Sequence, residues 1–240
     1  MNIIILAGGE GKRMQSSTPK VLHLFHGIPM LVRIVQEALK LSPNFIYIVV
    51  GKFRIQIQNI LEINFPNRHF LYIDQPVPLG TGHAISMCLP YLERDSSILI
   101  LSGDVPAITS KLLQSFVNEN KNTIITMEQE NPFGYGRIIM NKENEIIKIV
   151  EEKDANEAEK KVSTVNAGIY HFDASLLQKM VPKIKNNNAQ NEYYFTDIIN
   201  LCKEHSIKIY PYLLPSVHVK YIQGVNTKED LKKLEKIIKY

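Results

Sequence analysis

Apolar and polar positions follow two different periods along the first half of the chain. Residues 3–7 form an unbroken, mostly β-branched run stopped by Gly8-Gly9, the pattern of a strand buried on both faces. Similar runs recur at 45–50, 70–73 and 98–102. Between them the spacing is helical. Leu31, Ile34, Val35, Ala38 and Leu39 share one face of a helix over 30–39. Further helices are predicted over 54–61, from a Thr81 cap to about 92, and over 109–117, where Leu112, Leu113, Phe116 and Val117 form the buried side. Strands separated by such helices imply right-handed crossovers and a mostly parallel sheet.

After about residue 122 the pattern changes. Strands over 123–127, 137–140, 146–150 and 165–172 follow one another with tight connections, which predicts a partly antiparallel edge. Helices over 174–181 and 196–204, a strand over 207–213 and a helix over 227–238 complete the chain, the last opened by a capping box at Thr227-Lys228-Glu229-Asp230. There is no linker, repeat or low-complexity stretch. The expected fold is α/β: a Rossmann-like, mixed, mostly parallel sheet flanked by helices, with a small antiparallel lobe. A single domain over 1–240 is expected, its halves meeting at about residue 122.

Composition narrows the function classes. With 45% hydrophobic and 22% charged residues, the 240-residue chain can bury a sizeable core. No apolar run approaches the roughly 20 residues of a membrane helix, and the first one is too short for a secretory signal. Cys88 and Cys202 lack a C-x-x-C spacing, which argues against zinc or redox chemistry and for reduced thiols in a cytoplasmic protein. The net charge of +4 comes partly from a lysine face at Lys228, Lys232, Lys233, Lys236 and Lys239, and no basic stripe interleaved with aromatics points to nucleic acid.

The candidate chemistry begins at Leu6-Ala7-Gly8-Gly9-Glu10-Gly11-Lys12-Arg13-Met14, directly after the first strand. Ligands of open α/β sheets bind beyond the carboxyl ends of the strands, and glycines there let backbone N–H groups approach a phosphate. Arg13 and Lys20 add positive charge. Met14 stands where a dinucleotide fingerprint needs glycine, and Arg13 where a P-loop needs serine or threonine. Glycines with Arg13 and Lys20 favour a nucleotide phosphate site over a plain turn.

The stretch from Leu6 to Leu31, centred on Pro19-Lys20-Val21-Leu22-His23, resembles the signature of nucleoside-diphosphate-sugar pyrophosphorylases, and more narrowly the uridylyltransferase domain of bifunctional bacterial enzymes. Gln75 with Leu79-Gly80-Thr81-Gly82-His83-Ala84, Ser102-Gly103-Asp104-Val105-Pro106, Asn131-Pro132-Phe133-Gly134-Tyr135-Gly136-Arg137-Ile138, Ile149-Val150-Glu151-Glu152-Lys153-Asp154-Ala155, Val165-Asn166-Ala167-Gly168-Ile169-Tyr170, Ala189-Gln190-Asn191-Glu192-Tyr193-Tyr194-Phe195-Thr196-Asp197 and Gly224-Val225-Asn226 follow in family order over nearly the whole chain.

The resemblance implies UMP transfer from UTP to N-acetylglucosamine-1-phosphate. It assigns the nucleotide to Leu6, Ala7, Gly8, Gly9, Gly11, Gln75, Gly80, Thr81 and Gly103, with Arg13 and Lys20 as catalytic cations. It assigns Mg²⁺ to Asp104 and Asn226, and the sugar to Gly136, Glu151, Asn166, Tyr194 and Thr196. The Gln75 amide, with two donors and an acceptor, can pair with a base edge, while His83 reads as structural. Gly8, Lys12, Asn191, Ser102 and Ala167 depart from the usual alanine, threonine, glycine, tyrosine and threonine, the last two near the expected sugar pocket. The bifunctional relatives continue into a left-handed β-helix that acetylates glucosamine-1-phosphate and forms a trimer. No such repeat occurs in these 240 residues, so neither that activity nor that trimer is expected of them, and the oligomeric state stays open.

Overall fold

The computed structural model describes residues 1–119 and 122–239. From the N-terminus, β1 (Asn2–Leu6) leads through a short hairpin, β2 (Leu24–Phe25) and β3 (Ile28–Pro29), into α1 (Met30–Leu39). Next come β4 (Ile46–Val50), α2 (Arg54–Asn64), β5 (Leu71–Asp74), α3 (Thr81–Ser86), β6 (Ser97–Ser102) and α4 (Ser110–Val117). The second half carries β7 (Thr123–Glu128), β8 (Arg137–Met140), β9 (Ile146–Val150), β10 (Thr164–Asp173), α5 (Ala174–Met180), α6 (Ile198–Glu204), β11 (Tyr210–Leu213) and α7 (Lys228–Ile237).

The main sheet runs β11-β7-β10-β6-β1-β4-β5, with β8 paired to β10 and β9 to β8. β6, β1, β4 and β5 are mutually parallel and β11 is parallel to β7, while β10 runs antiparallel to both β6 and β7. The mixed, mostly parallel sheet expected from the periodicity is thus observed, and β8 and β9 form the antiparallel appendage.

The isoleucine run of β1 explains its central position. Successive side chains of a strand point to opposite faces. Ile3 and Ile5 join one core with Leu31, Ile34 and Val35 of α1, and Ile4 joins the other with Ile85 of α3 and Leu177 of α5. Each of these isoleucines is fully buried, a contribution of about 1.5–3 kcal/mol apiece. An alternating polar strand could not occupy this position without burying unpaired groups.

Three expectations need correcting. The helix from residue 81 stops at Ser86 rather than near 92 and tightens into a 3-10 turn at Leu89–Tyr91. Pro90 has no N–H to return to the Ser86 carbonyl, so the α-helix cannot continue. Thr81 is not the cap: Gly80 is, at φ 108, and the Thr81 hydroxyl instead accepts from the Phe195 N–H at 3.0 Å. The last strand covers Tyr210–Leu213 only. The capping box at Thr227 is present, with Asp230 closing it.

Candidate active site

β4 and β5 extend the sheet on one side of β1 and β6 on the other, so strand order reverses between β1 and β6. Loops leaving these two strands diverge and open a crevice at their carboxyl ends. Gly103 lets the strands meet closely there. Its N–H donates to the Leu6 carbonyl at 2.9 Å, and a Cβ at Gly103 would stand 2.7 Å from that oxygen. The crevice holds about 620 Å³. Leu6, Gly8, Gly9, Gly11, Arg13, Lys20, Gln75, Gly80, Thr81, Asp104 and Asn226 line it, whereas Ala7 and Gly103 do not and shape its floor from behind.

A charged network closes one end. The Lys20 ammonium pairs with Asp104 Oδ2 and also donates to Asn226 Oδ1 at 3.2 Å. Arg13 donates to the same amide oxygen at 2.9 Å, and Ser102 Oγ donates to Asp104 Oδ1 at 2.7 Å. Lys20 owes its position to the buried Val21 and Leu22 of its 3-10 turn and to Gly11. Gly11 lies at φ +61, and a Cβ there would come within 2.6 Å of Lys20 Cβ. Asn226 is carried in by the turn before α7, where the Val225 N–H donates to the Asp104 carbonyl at 2.8 Å.

The opposite wall is formed by Gln75 and the start of α3. Gly80 and Gly82 pack directly on the Tyr193 backbone, with Gly82 N–H donating to its carbonyl at 2.7 Å. This contact zips the segment 192–196 against the crevice. The expected acceptor residues sit beyond it as a linked group. Thr196 Oγ1 donates to Glu151 Oε1 at 2.9 Å, a Cβ at Gly136 would lie 3.4 Å from that carboxylate oxygen, and Asn166 N–H donates to the Gly136 carbonyl at 2.8 Å. The Asn166 amide bridges Tyr170 OH and the Gly168 N–H across the bulge in β10. Burial pushes the Tyr194 hydroxyl up to about 12, with the Asp154 and Glu151 carboxylates adding to it.

Carboxylates crowd this side. Burial raises Glu151 above the usual range, and Asp197 and Asp154 add to the effect although the Thr196 hydrogen bond opposes it. Asp197 rises to about 6 through burial and then through Asp154. A carboxyl whose folded pKa lies above its unfolded value favours folding while protonated and loses that contribution as pH rises through the folded value. Asp197→Asn is therefore expected to have a higher Tm than the parent at pH 8, an advantage that shrinks as pH falls through about 6 and is gone only below 3.8, as thermal melts from pH 8 to about pH 3 would reveal.

Arg137, 1% exposed, fixes the β8–β9 lobe. It pairs with Glu152 at 2.6 Å, and the same carboxylate oxygen accepts from the Gly134 N–H at 3.0 Å. Because Glu152 faces this brace, its neighbour Glu151 is left facing Thr196.

A nucleotidyl transferase family model matches residues 2–215. The chain belongs to the nucleotidyl transferase family. It is 40% identical to the bifunctional protein GlmU of Legionella pneumophila over 99% of its own length and 52% of that protein. It is 39% identical to a protein of Acanthamoeba polyphaga mimivirus described as a probable UDP-N-acetylglucosamine pyrophosphorylase, over 99% of this chain and 96% of that one. The chain therefore spans about half the length of the bifunctional relatives it matches. Among solved structures, a UDP-glucose pyrophosphorylase complexed with UDP-glucose aligns over 98% of this chain and 97% of its own, with TM-score 0.76 and 18% identity. HddC from Yersinia pseudotuberculosis complexed with GMP-PN aligns over 99% of each chain, with TM-score 0.68 and 18% identity. These likenesses establish the nucleotidyl transferase fold.

Within this nucleotidyl transferase, two departures have local explanations. Asn191, where glycine is usual, sits at φ 54, a left-handed conformation that asparagine tolerates. Ser102, expected near the sugar, lines the crevice and donates to Asp104. Gln190 and Glu192, part of the matched 189–197 segment but given no role there, also line the crevice. Among the described residues, no group of three or more His, Cys, Asp or Glu could hold a metal, and no helix is long and apolar enough to cross a membrane. Cys88 and Cys202 are free and buried, with thiols pushed up to about 12 and about 11 by burial, so they are poor nucleophiles.

Proposed function

We propose that the protein transfers UMP from UTP to N-acetylglucosamine-1-phosphate, giving UDP-N-acetylglucosamine and pyrophosphate. The observation carrying this reading is the meeting of Arg13, Lys20, Asp104 and Asn226 at the mouth of a glycine-floored crevice. Two cations and a phosphate-sized loop suit a triphosphate, and the acceptor group around Glu151 and Thr196 lies next to it. The names of the GlmU and mimivirus relatives support the same donor and acceptor.

The nucleophile is a phosphate monoester, mostly dianionic at neutral pH, so no general base is needed. Its oxygen attacks the α-phosphorus, and the bond to the β-phosphate oxygen breaks as pyrophosphate leaves. In this reading Arg13 and Lys20 hold the triphosphate, the Gly8–Gly11 loop offers backbone N–H groups, and Glu151 with Thr196 orients the sugar.

Nucleotidyl transfer in this family generally uses a divalent metal. The oxygens present fit Mg²⁺. Asp104 Oδ2 and Asn226 Oδ1 already converge on one cation, the Lys20 ammonium, and both are hard donors of the kind Mg²⁺ selects. With a carboxylate and an amide oxygen from the protein, phosphates and water would complete the shell, and the ion would supply charge neutralisation on the phosphates. The reading also includes a cytoplasmic location, where UTP is available.

Pyrophosphate release from UTP, Mg²⁺ and N-acetylglucosamine-1-phosphate tests the proposal, with glucose-1-phosphate and dTTP as competing substrates. Release confined to another acceptor would overturn the sugar assignment, and nucleotide binding without release would overturn the reaction.

A further inference from the structure

Gln75 is buried, with a 6% exposure that faces the crevice, and its amide has a fixed orientation. Nε2 donates to the Gly80 carbonyl at 3.0 Å and lies 3.2 Å from His83 Nδ1. An amide nitrogen carries two hydrogens and no acceptor lone pair, so with one hydrogen on the Gly80 carbonyl the other is directed at His83 Nδ1 as acceptor. Both donors of Gln75 are thereby consumed by the protein. Oε1 points the other way, toward the first loop, where a Cβ on Gly8 would stand 3.1 Å from it. Turning the amide over would set its oxygen against the Gly80 carbonyl, which can only accept, so that carbonyl fixes the orientation and His83 takes the remaining hydrogen.

The ring of His83 is itself held. It is carried on α3 and lies 6.4 Å from the Tyr193 ring, and it lines a small pocket of about 200 Å³ with Val181, Pro182 and Ile184. Tyr193 belongs to the same segment that Gly80 and Gly82 lean on, so ring and amide share one rigid frame.

We infer that His83 is a positioning residue for base selection: it locks Gln75 so that the crevice presents an acceptor, which favours a base with a ring N–H, as in uracil, over cytosine, whose corresponding ring nitrogen is itself an acceptor. The inference rests on the proposed reading that the base of UTP meets Gln75. On this proposal His83 does more than the structural role expected of it, and Gln75 offers the ligand one acceptor rather than a mixed edge. Thymine keeps the ring N–H, so this device does not separate UTP from dTTP.

The test compares kcat/KM for UTP and CTP at fixed sugar phosphate, alongside calorimetric binding of each nucleotide. His83→Phe keeps a ring and removes the acceptor. Its KM for UTP should rise, and its preference for UTP over CTP should fall about tenfold, the scale of one hydrogen bond in a buried site, with KM for the sugar phosphate unmoved. His83→Asn places an acceptor near the Nδ1 position and should retain most of the preference, whereas His83→Gln, whose acceptor reaches the Nε2 position, should not. The Asn–Gln contrast holds even where the phenylalanine variant does not fold. A folded His83→Phe protein with parental preference, or Asn and Gln variants that lose it alike, overturns the role of His83. Gln75→Ala separates the two levels: parental preference there removes the base contact itself, and the inference falls with it.

Discussion

Asp104→Ala is expected to lower pyrophosphate release by several powers of ten and to abolish the dependence of the residual rate on Mg²⁺ concentration. Asp104 supplies the anionic half of the oxygen pair that converges on the Lys20 ammonium, and the other half, the Asn226 amide, is neutral. Removing the carboxylate leaves two cations, Lys20 and Arg13, around one amide oxygen, an arrangement that repels a divalent ion. The fold should survive. The structural link between this turn and the α7 turn runs through the Asp104 backbone carbonyl, which accepts from Val225 N–H whatever the side chain. The side chain is only 17% exposed and its loss strands the part-buried Lys20 ammonium, so a lower Tm is expected alongside the lost turnover. Turnover and Tm measured on the same preparation check both halves. Near-parental turnover in Mg²⁺ would remove Asp104 from the site, and loss of folding would be met by Asp104→Asn, which keeps the shape and should be almost as inactive. The single amide oxygen of Asp104→Asn would stay on the Lys20 ammonium and its NH2 would donate to Ser102 Oγ, so an inactive, fully folded variant of this kind isolates the charge.

These side chains show how far the sequence could be read. β1 was legible because a strand at the centre of a doubly covered sheet must be apolar on both faces, and an isoleucine run does nothing else well. The α3 boundary was misjudged because amphipathic spacing continues past Ser86, while the decisive event is a single absent donor at Pro90. The glycine loop announced a phosphate site by position and composition. Its partners did not: Asp104 is 84 residues from Lys20 and Asn226 is 213 from Arg13, and no local rule joins them. Only the resemblance to sugar-nucleotide pyrophosphorylases put them in one site, and the fold brings them within hydrogen-bonding distance. The acceptor group was reached by the same route, since Glu151 reads locally as one charge in an exposed run, and its environment depends on Arg137 drawing Glu152 to the other side. Ser102 shows the limit of reasoning from departures. Its change from the usual tyrosine suggested an altered sugar pocket, yet the hydroxyl reaches Asp104.

Lys20→Met should produce two effects of opposite sign. The methionine retains most of the stem that packs against Gly11 but carries no charge, so the loop stays in place while the ammonium disappears. Turnover should drop about 10²–10³-fold, as when one preorganised donor is taken from a site where charge develops. In the free enzyme, Asp104 Oδ2 would lose its resident cation and Asn226 Oδ1 would keep only Arg13. Mn²⁺ binding without nucleotide, followed by electron paramagnetic resonance, should therefore become tighter in the variant than in the parent. Lys20→Arg should rescue neither property, because a planar guanidinium cannot take the place of a compact ammonium between two oxygens, and Arg13 already occupies the open side of Asn226. The parent thus trades metal affinity in the empty state for a cation that the triphosphate can draw away from Asp104. Unchanged Mn²⁺ affinity in Lys20→Met would mean that the two oxygens do not form a metal site, and parental turnover would mean that the ammonium takes no part in catalysis.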